Sequence, residues 1–271
     1  MVVLLISAGC SSPAVLPTLS PATATISPST EIEPTPTVNP VEVVWVLTGG
    51  DVPFSYPADV AVSDSGLIYI SNGRNNLIQK FDLNGNFISS WGGMGDGHGQ
   101  FDFTNIEGDA RAGLAIDGSG NVYVTDYNNH RVQKFDQDGN FLFQFGSAGA
   151  GKGEFLSLLD VAVAENGNIY VIDDRRDDIQ VFDAAGTYLF KWGKHGQQAG
   201  EFYNVGNLAL DQEGNVYVAD YQNQRIQIFD SQGNFLRMWG SLGDGDYEFE
   251  SPSGIAVDSV GNIYVANQAY H

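Results

Sequence analysis

Side chains with catalytic or metal-binding potential are few and scattered in this chain of 271 residues. The four histidines are His98, His130, His195 and His271. No two of them stand at the spacing of a zinc site, and no G-x-S-x-G, H-E-x-x-H or Cys–His nucleophile pattern is present. Asp244, Asp246 and Glu248 alternate as calcium ligands do, but the rest of a calcium-binding loop is missing. The sequence therefore predicts neither a catalytic residue nor a set of metal ligands.

Strand-like segments centred on a tyrosine recur along the chain. Tyr69, Tyr123, Tyr170, Tyr217 and Tyr264 lie 54, 47, 47 and 47 residues apart. A period of this size marks an array of supersecondary units that bury their apolar faces against one another. Each unit has four short runs rich in β-branched and aromatic residues, joined by Asp-x-x-Gly turns, and no helical period. The pattern predicts an all-β fold, a β-propeller of four-stranded antiparallel blades.

Two copies of the unit share a signature: residues 126–136 read DYNNHRVQKFD and residues 220–230 read DYQNQRIQIFD. With the preceding N-(I/V)-Y-V-(A/T)-D strings, they resemble the NHL repeat of β-propeller proteins. The resemblance covers roughly residues 43 to 271 and implies a ring that usually has six blades. No cofactor is predicted from the residues. The resemblance implies calcium or zinc in the central channel as the alternative. The first and third copies depart from the signature, since Leu77 and Asp178 replace its arginine.

The two ends of the repeat region are unequal. Residues 43–46, followed by Phe54 and Pro57, match the fourth strand of a unit, so the N-terminal strand is predicted to close the ring by completing the last blade. After Tyr264 the chain soon reaches His271, and it encodes four whole units and part of a fifth. Two interpretations stay open: a sequence clipped from a six-bladed gene, or a five-bladed ring with a three-stranded closing blade.

Most repeated aromatic and polar positions are interpreted as structural. Trp91, Trp192 and Trp239 share one position with Phe145 and are predicted to pack between blades. A second position ends the second strand of each unit and is predicted to bond to loop backbone. It is held by Asn72, Asp126, Asp173, Asp220 and Asn267.

Variable loops mark one end of the ring as the binding face. Because strands alternate in direction, the loops after the second strands and the connections between blades lie at the same end. The seven extra residues of the 54-residue interval fall at this end, within residues 102–113. This insertion is predicted to make a specific contact, with a neutral loop extension as the alternative. The predicted binding residues are Glu107, Asp109, Arg111, Tyr127, His130, Arg175, Arg176 and Tyr221.

The N-terminal segment has the composition of an export and display region. Residues 1–10 are apolar or small and end in Cys10, and residues 6–10 resemble a bacterial lipobox, in which the cysteine is acylated. An ordinary signal-peptide remnant is the alternative. Residues 11–40 hold seven prolines, eleven Ser or Thr and no Lys or Arg, which predicts a disordered stalk. The propeller is expected over residues 41–271, lipid-anchored outside the cytoplasm, or secreted.

Charge narrows the classes of partner. Residues 41–271 hold 12 basic and 31 acidic residues, a net charge of −19. Nucleic acids and anionic membrane surfaces are excluded, since both require clustered Lys or Arg, and membrane contact is expected only through lipid on Cys10. The predicted function is a non-catalytic, monomeric module on the cell surface that binds a protein, peptide or glycan. Alternatives are a metal-dependent lyase or lactonase-like enzyme and the sensor head of a signalling system.

Overall fold

The structure, a computed structural model, describes residues 46–104 and 109–268. Contacts divide the chain into two units, residues 1–47 and residues 48–271, and all strands found in the described residues lie in the second unit. Within the described ranges, no helix is long and apolar enough to cross a bilayer.

Several predictions from the sequence fall outside the described residues. They are the acylated Cys10, the stalk at residues 11–40, and residues 43–45 of the closing strand predicted over residues 43–46. These stay predictions.

The strands form four complete blades and part of a fifth. Blade 1 consists of β1 (Pro57–Val62), β2 (Leu67–Asn72), β3 (Leu77–Asp82) and β4 (Phe87–Gly92). Blade 2 consists of β5 (Leu114–Ile116), β6 (Val122–Asp126), β7 (Arg131–Phe135) and β8 (Phe141–Phe145). Blade 3 follows a short parallel pair, β9 (Ser147–Ala148) and β10 (Glu154–Phe155), and consists of β11 (Leu158–Val163), β12 (Ile169–Asp173), β13 (Asp178–Phe182) and β14 (Tyr188–Trp192). Blade 4 consists of β15 (Val205–Leu210), β16 (Val216–Asp220), β17 (Arg225–Phe229) and β18 (Phe235–Trp239). The fifth unit has β19 (Pro252–Val257) and β20 (Ile263–Asn267).

Each complete blade is an antiparallel meander whose strands pair in chain order. The innermost strands of all five units line one central cavity of about 280 Å³. Short 3₁₀ turns, Gly73–Asn75 and Tyr221–Asn223, follow the second strands of blades 1 and 4. The predicted all-β propeller with four-stranded antiparallel blades is therefore confirmed, with four whole blades and two strands of a fifth among the described residues.

The apolar core lies between blades. Tyr123 of blade 2 packs in one cluster with Val171 and Phe182 of blade 3. The repeated fourth-strand aromatic also crosses to the next blade, since the Trp91 and Phe135 rings lie 5.8 Å apart. Because each unit buries its apolar side only against its neighbour, the array gains most of its stability from these interfaces.

The residue that ends each second strand fixes the start of its own blade. In all five units its side-chain oxygen accepts a backbone N–H from the residue after the repeated phenylalanine, over 2.7–2.9 Å. The donors are Ser55, Asp102, Leu156, Tyr203 and Glu250. The structural role predicted for this position is confirmed.

The signature arginine neutralises that residue where it is an aspartate. Arg225 Nε donates to Asp220 Oδ2 over 2.7 Å, and its Nη atoms bind three backbone carbonyls of the preceding connection over 2.8–3.0 Å. Arg131 does the same for Asp126 in blade 2. Blade 1 has the neutral Asn72 at this position, and Leu77 stands in place of the arginine.

Candidate functional site

The insertion at residues 102–113 lies on the loop face, the end of the ring that carries the loops after the second strands. Asn128, in the loop after β6, donates through Nδ2 to Asp102 Oδ1 over 2.9 Å and to the Thr104 carbonyl over 2.7 Å. These bonds hold the base of the insertion against blade 2. Glu107 lies outside the described residues.

Arg111 joins the loops of two neighbouring blades. Its guanidinium carbon lies 5.5 Å from the centre of the Tyr127 ring, in the loop after β6, within cation–π range. The same guanidinium forms an ion pair through Nη1 with Asp174 Oδ2, in the loop after β12. The Arg111 side chain is 32% exposed, so this bridge is open to solvent.

His130 lacks a hydrogen bond that the residues at its position form in the other three complete blades. In this left-handed position, Asn76, Asp177 and Gln224 each accept a backbone N–H at the start of the next blade, over 2.7–2.8 Å. His130 also has a positive φ, of 52°, but its buried Nδ1 has no hydrogen-bond partner among the described residues. The contact that these side chains make elsewhere is missing between blades 2 and 3.

Arg176 replaces the signature arginine in blade 3. Its Nε lies 3.2 Å from Asp173 Oδ2, and its Nη2 donates to Asp178 Oδ1 over 2.9 Å. Its Nη1 is buried and unpartnered among the described residues, as is Asp174 Oδ1. The aligned repeats do not reveal this replacement, because Arg176 lies two positions closer to the N-terminus than the signature arginine does in blades 2 and 4. Arg176 therefore neutralises Asp173 and Asp178 within blade 3. Asp174, which pairs with Arg111, directly follows Asp173.

The remaining predicted residues spread over the loop face. Arg175 and Asp109 are exposed. The Tyr221 hydroxyl lies 3.3 Å from Gln268 Oε1, so Tyr221 belongs to the part of the face between blade 4 and the fifth unit. The structure thus links Arg111 to Tyr127 and places Tyr221 in a different region.

We name one group of side chains the seam site, since it follows the junction of blades 2 and 3 on the loop face. Its members are Arg111, Tyr127, His130, Asp174 and Arg176. A partly exposed guanidinium, an aromatic ring and a carboxylate offer donor, acceptor and stacking contacts. Residues of these types recur at the centres of binding surfaces, where Tyr and Arg are enriched.

The central cavity holds polar groups that the sequence analysis missed. Aligned innermost strands have Asp59, Gly113, Asp160, Asn207 and Gly254 at one position. Asp59 Oδ2 accepts the Leu114 N–H of the next blade over 2.7 Å, and Asp160 Oδ2 accepts the Leu208 N–H over 3.0 Å. Comparing this one column of the repeat would have revealed both carboxylates.

Both cavity carboxyl groups have altered titration. Burial raises the pKa of Asp160 to about 6. Burial, together with the nearby Asp160 charge, raises the pKa of Asp59 well above its usual range. Asn207 is the other polar side chain of the cavity lining; the rest is apolar.

This lining does not fit a calcium or zinc site. Each carboxylate oxygen of Asp59 and Asp160 already accepts a backbone N–H. Calcium takes six or more oxygen ligands and zinc about four ligands, counting nitrogen and sulfur. Over the described ranges, no group of three or more His, Cys, Asp or Glu could hold a metal. The cavity carboxylates instead link neighbouring blades.

Comparisons with known families agree with the fold. An NHL repeat model matches residues 54–81 and 112–135. A six-bladed β-propeller model matches residues 165–226, and a β-propeller repeat model matches residues 242–266. The protein brain tumor of Drosophila melanogaster is 42% identical over 52 residues, which are 19% of this chain and 5% of that protein. The chain therefore matches only a small part of that relative.

Solved structures with low sequence identity share the architecture. Virginiamycin B lyase from Staphylococcus aureus has a TM-score of 0.53 and 15% identity, over 78% of this chain and 63% of that chain. A streptogramin B lyase has a TM-score of 0.55 and 16% identity, over 81% and 71%. A Bacteroides caccae protein of unknown function has a TM-score of 0.61 and 14% identity, over 85% and 77%. At these identities the likeness shows the fold alone.

Proposed function

We propose that this NHL-repeat β-propeller is a non-catalytic module that binds a protein, peptide or glycan through its loop face, centred on the seam site. The observation that carries the proposal is the Arg111 bridge. It joins the insertion, the Tyr127 loop and the Asp174 loop into one surface. The rest of the ring is a regular scaffold, and recognition usually resides in irregular loops on such a scaffold.

The seam site lacks contacts that the corresponding positions form in the other blades. His130 and Arg176 occupy or replace positions that elsewhere tie blades together, and both keep buried nitrogens without partners among the described residues. Natural proteins break local rules of this kind mostly at functional sites, where they give up stability. The irregularity supports placing the ligand here and not at Tyr221.

Binding arrays test the proposal. The labelled protein is applied to peptide and glycan arrays, and affinities for the bound probes are then measured with Arg111→Ala. We expect a loss of at least about fivefold, because an interface arginine of this kind contributes more than about 1 kcal/mol. The matched control is Arg74→Ala, since Arg74 lies over the Tyr56 ring at 3.6 Å in blade 1. Equal affinities of wild type and Arg111→Ala for every probe would contradict the proposal.

We further propose that the propeller is monomeric and displayed outside the cytoplasm on a lipid attached to Cys10, with secretion as the alternative. The supporting observations are the lipobox-like residues 6–10 and the Pro-, Ser- and Thr-rich residues 11–40. Metabolic labelling with a fatty acid should mark the wild type and not Cys10→Ser. Labelling of both proteins, or of neither, would exclude lipid on Cys10.

A catalytic alternative and a sensor head stay open. Two structural neighbours are lyases, but their low identity carries the fold and not the activity. Metal analysis after dialysis separates these functions, since a stoichiometric divalent ion would favour the enzyme.

A further inference from the structure

One short segment of the connection between blades 2 and 3 has close counterparts in two other connections. We name residues 149–153, which join β9 to β10, the strap. The matching segments are residues 95–99 before blade 2 and residues 196–200 before blade 4. In all three, the first glycine donates its N–H to the carbonyl of the repeated phenylalanine over 2.8–3.0 Å. The last glycine donates its N–H to the third-strand glutamine of the next blade over 2.9–3.0 Å. The strap therefore shares the backbone framework of its counterparts.

Side chains bind the carbonyls of the two matching segments. Before blade 4, Asn223 Nδ2 donates to the Gly196 carbonyl over 2.9 Å, and Arg225 donates to the next two carbonyls over 2.8–2.9 Å. Before blade 2, Asn129 and Arg131 bind the three aligned carbonyls over 2.8–2.9 Å. Each matching segment is thus fixed to the blade that follows it by three hydrogen bonds from an asparagine and an arginine.

The strap lacks these three bonds. Blade 3 has Arg176 at the asparagine position and Asp178 at the arginine position. Arg176 pairs with Asp173 and Asp178, and Lys191 Nζ lies 2.6 Å from Asp178 Oδ2, so these side chains bind one another within the blade. A carboxylate cannot donate to a carbonyl. Among the described residues, no side chain donates to the carbonyls of residues 149–151.

The strap lies beside buried groups of the seam site. In blades 2 and 4, the asparagine aligned with Arg176 binds the carbonyl aligned with Gly149, so the strap and the Arg176 loop are neighbours. Asp174 Oδ1 and Arg176 Nη1 are both buried, and neither has a hydrogen-bond partner in the described ranges. An unpaired buried donor or acceptor costs free energy, which a ligand that reaches it recovers. Such a ligand reaches these atoms only after a neighbouring segment moves.

The missing bonds make the strap the segment best suited to move. Residues 150–152 are exposed, so their displacement uncovers little apolar surface. Binding loops and lids are drawn from segments of low local stability, which have few contacts to break. The strap has this property, whereas its two counterparts are fixed by their arginines.

We propose that the strap opens to admit a ligand to the buried groups of the seam site and closes over that ligand after binding. The inference rests on the proposed function, because it names the moving part of the same site. Opening of the strap should be more frequent than opening of the matching segments, since three hydrogen bonds are absent.

Hydrogen–deuterium exchange of the free protein, resolved to single amides, tests the opening. Gly149 and Gly153 are compared with Gly196 and Gly200, which are glycines hydrogen-bonded to the same kinds of acceptor over 2.8–3.0 Å. We expect exchange at least about tenfold faster in the strap, because the bonds absent there include two from a charged donor. Equal rates in the two segments would overturn the proposal, whatever becomes of the proposed function.

A triple variant restores the missing bonds. It gives blade 3 the residues of blade 2 at three aligned positions and leaves the net charge unchanged: Arg176→Asn, Asp178→Arg and Lys191→Gln. Exchange at Gly149 should slow to about the rate at Gly196. The converse variant, Asn223→Ala, frees the Gly196 carbonyl and should speed exchange at Gly196. If neither variant changes these rates, the carbonyl bonds do not control opening and the proposal is wrong.

Exchange in the presence of a bound probe tests the closing. The probe is the array peptide or glycan that binds the wild type more tightly than Arg111→Ala. It should slow exchange at Gly149 and Gly153 at least about tenfold and leave Gly196 and Gly200 unchanged. Unchanged exchange in the strap would overturn closure over the ligand while the proposed function stands. If no array probe binds, the proposed function fails, and the free-protein comparison alone decides whether the strap opens.

Discussion

The junction of blades 3 and 4 carries three links that the junction of blades 2 and 3 lacks. Between blades 3 and 4, Asp160 accepts the Leu208 N–H, Asp177 accepts the Asn204 N–H, and Arg225 binds three carbonyls of the connection. Between blades 2 and 3 the same positions hold Gly113, His130 and Asp178, and none of them forms the corresponding link in the described residues.

This difference separates scaffold from site within one repeated sequence. Where every link is present, the repeat is specified by mutually supporting bonds. Where they are missing, the apolar contacts and the Arg111–Asp174 ion pair hold the blades together. A looser junction beside an insertion is suited to recognition, because stabilising substitutions there tend to cost function.

Removing the regular arginine should have the largest effect. Arg225→Ala leaves the fully buried Asp220 carboxylate uncompensated, and we expect a loss of roughly 3–5 kcal/mol in the free energy of unfolding. Urea denaturation measures this loss. The double variant Arg225→Leu with Asp220→Asn recreates the Asn72 and Leu77 pair of blade 1 and should recover most of it. No recovery would refute charge matching as the reason for the arginine.

The cavity link between blades 3 and 4 should make stability depend on pH. Because burial raises the pKa of Asp160 in the folded state to about 6, above its ordinary value of 3.8, the folded state binds more protons between these pH values. Stability therefore falls as pH rises from about 4 to about 6, by up to roughly 3 kcal/mol. Asp160→Asn should reduce this fall, since Asn207 occupies the same position one blade later. Thermal unfolding from pH 4 to pH 8 measures it, with Asp64→Asn, in the exposed turn after β1, as the charge control.

Restoring a missing link should stabilise the looser junction. His130→Asn introduces an acceptor that tolerates the left-handed backbone, and Asn76 in that position accepts the Phe103 N–H over 2.8 Å. We expect a gain of roughly 1 kcal/mol in urea denaturation. The reciprocal variant Asn76→His should lose a similar amount. Destabilisation by His130→Asn would mean that the histidine has a structural partner.

The smallest effect on stability is expected at the Arg111 bridge. Its partly exposed guanidinium is screened by solvent, so Arg111→Ala should cost less than about 1 kcal/mol. Thermal unfolding of Arg111→Ala beside Arg74→Ala checks this. A much larger loss would make Arg111 a structural clamp and would weaken the proposed binding role.

Most of the fold could be predicted from the repeated sequence. Equal spacing of the tyrosines, the Asp-x-x-Gly turns and the alternation within strands together identified the blade, and the structure confirms it. The candidate site was only partly readable. The insertion stood out by length, but Asp174, which Arg111 meets, lies 63 residues away and looks like an ordinary loop residue.

The cavity carboxylates are a second feature that the sequence alone did not predict. Asp59 and Asp160 lie in one column of the aligned repeats, yet an aspartate in so acidic a chain carries no signal by itself. Their raised pKa values come from burial, and for Asp59 also from the charge of Asp160, both of which depend on the arrangement of the innermost strands around the cavity.

The sequence by itself determined the repeating unit, its strands and its turns, because these depend on local patterns that recur every 47 residues. Tertiary structure decided which copies are linked and which are not, since those links join residues from different blades.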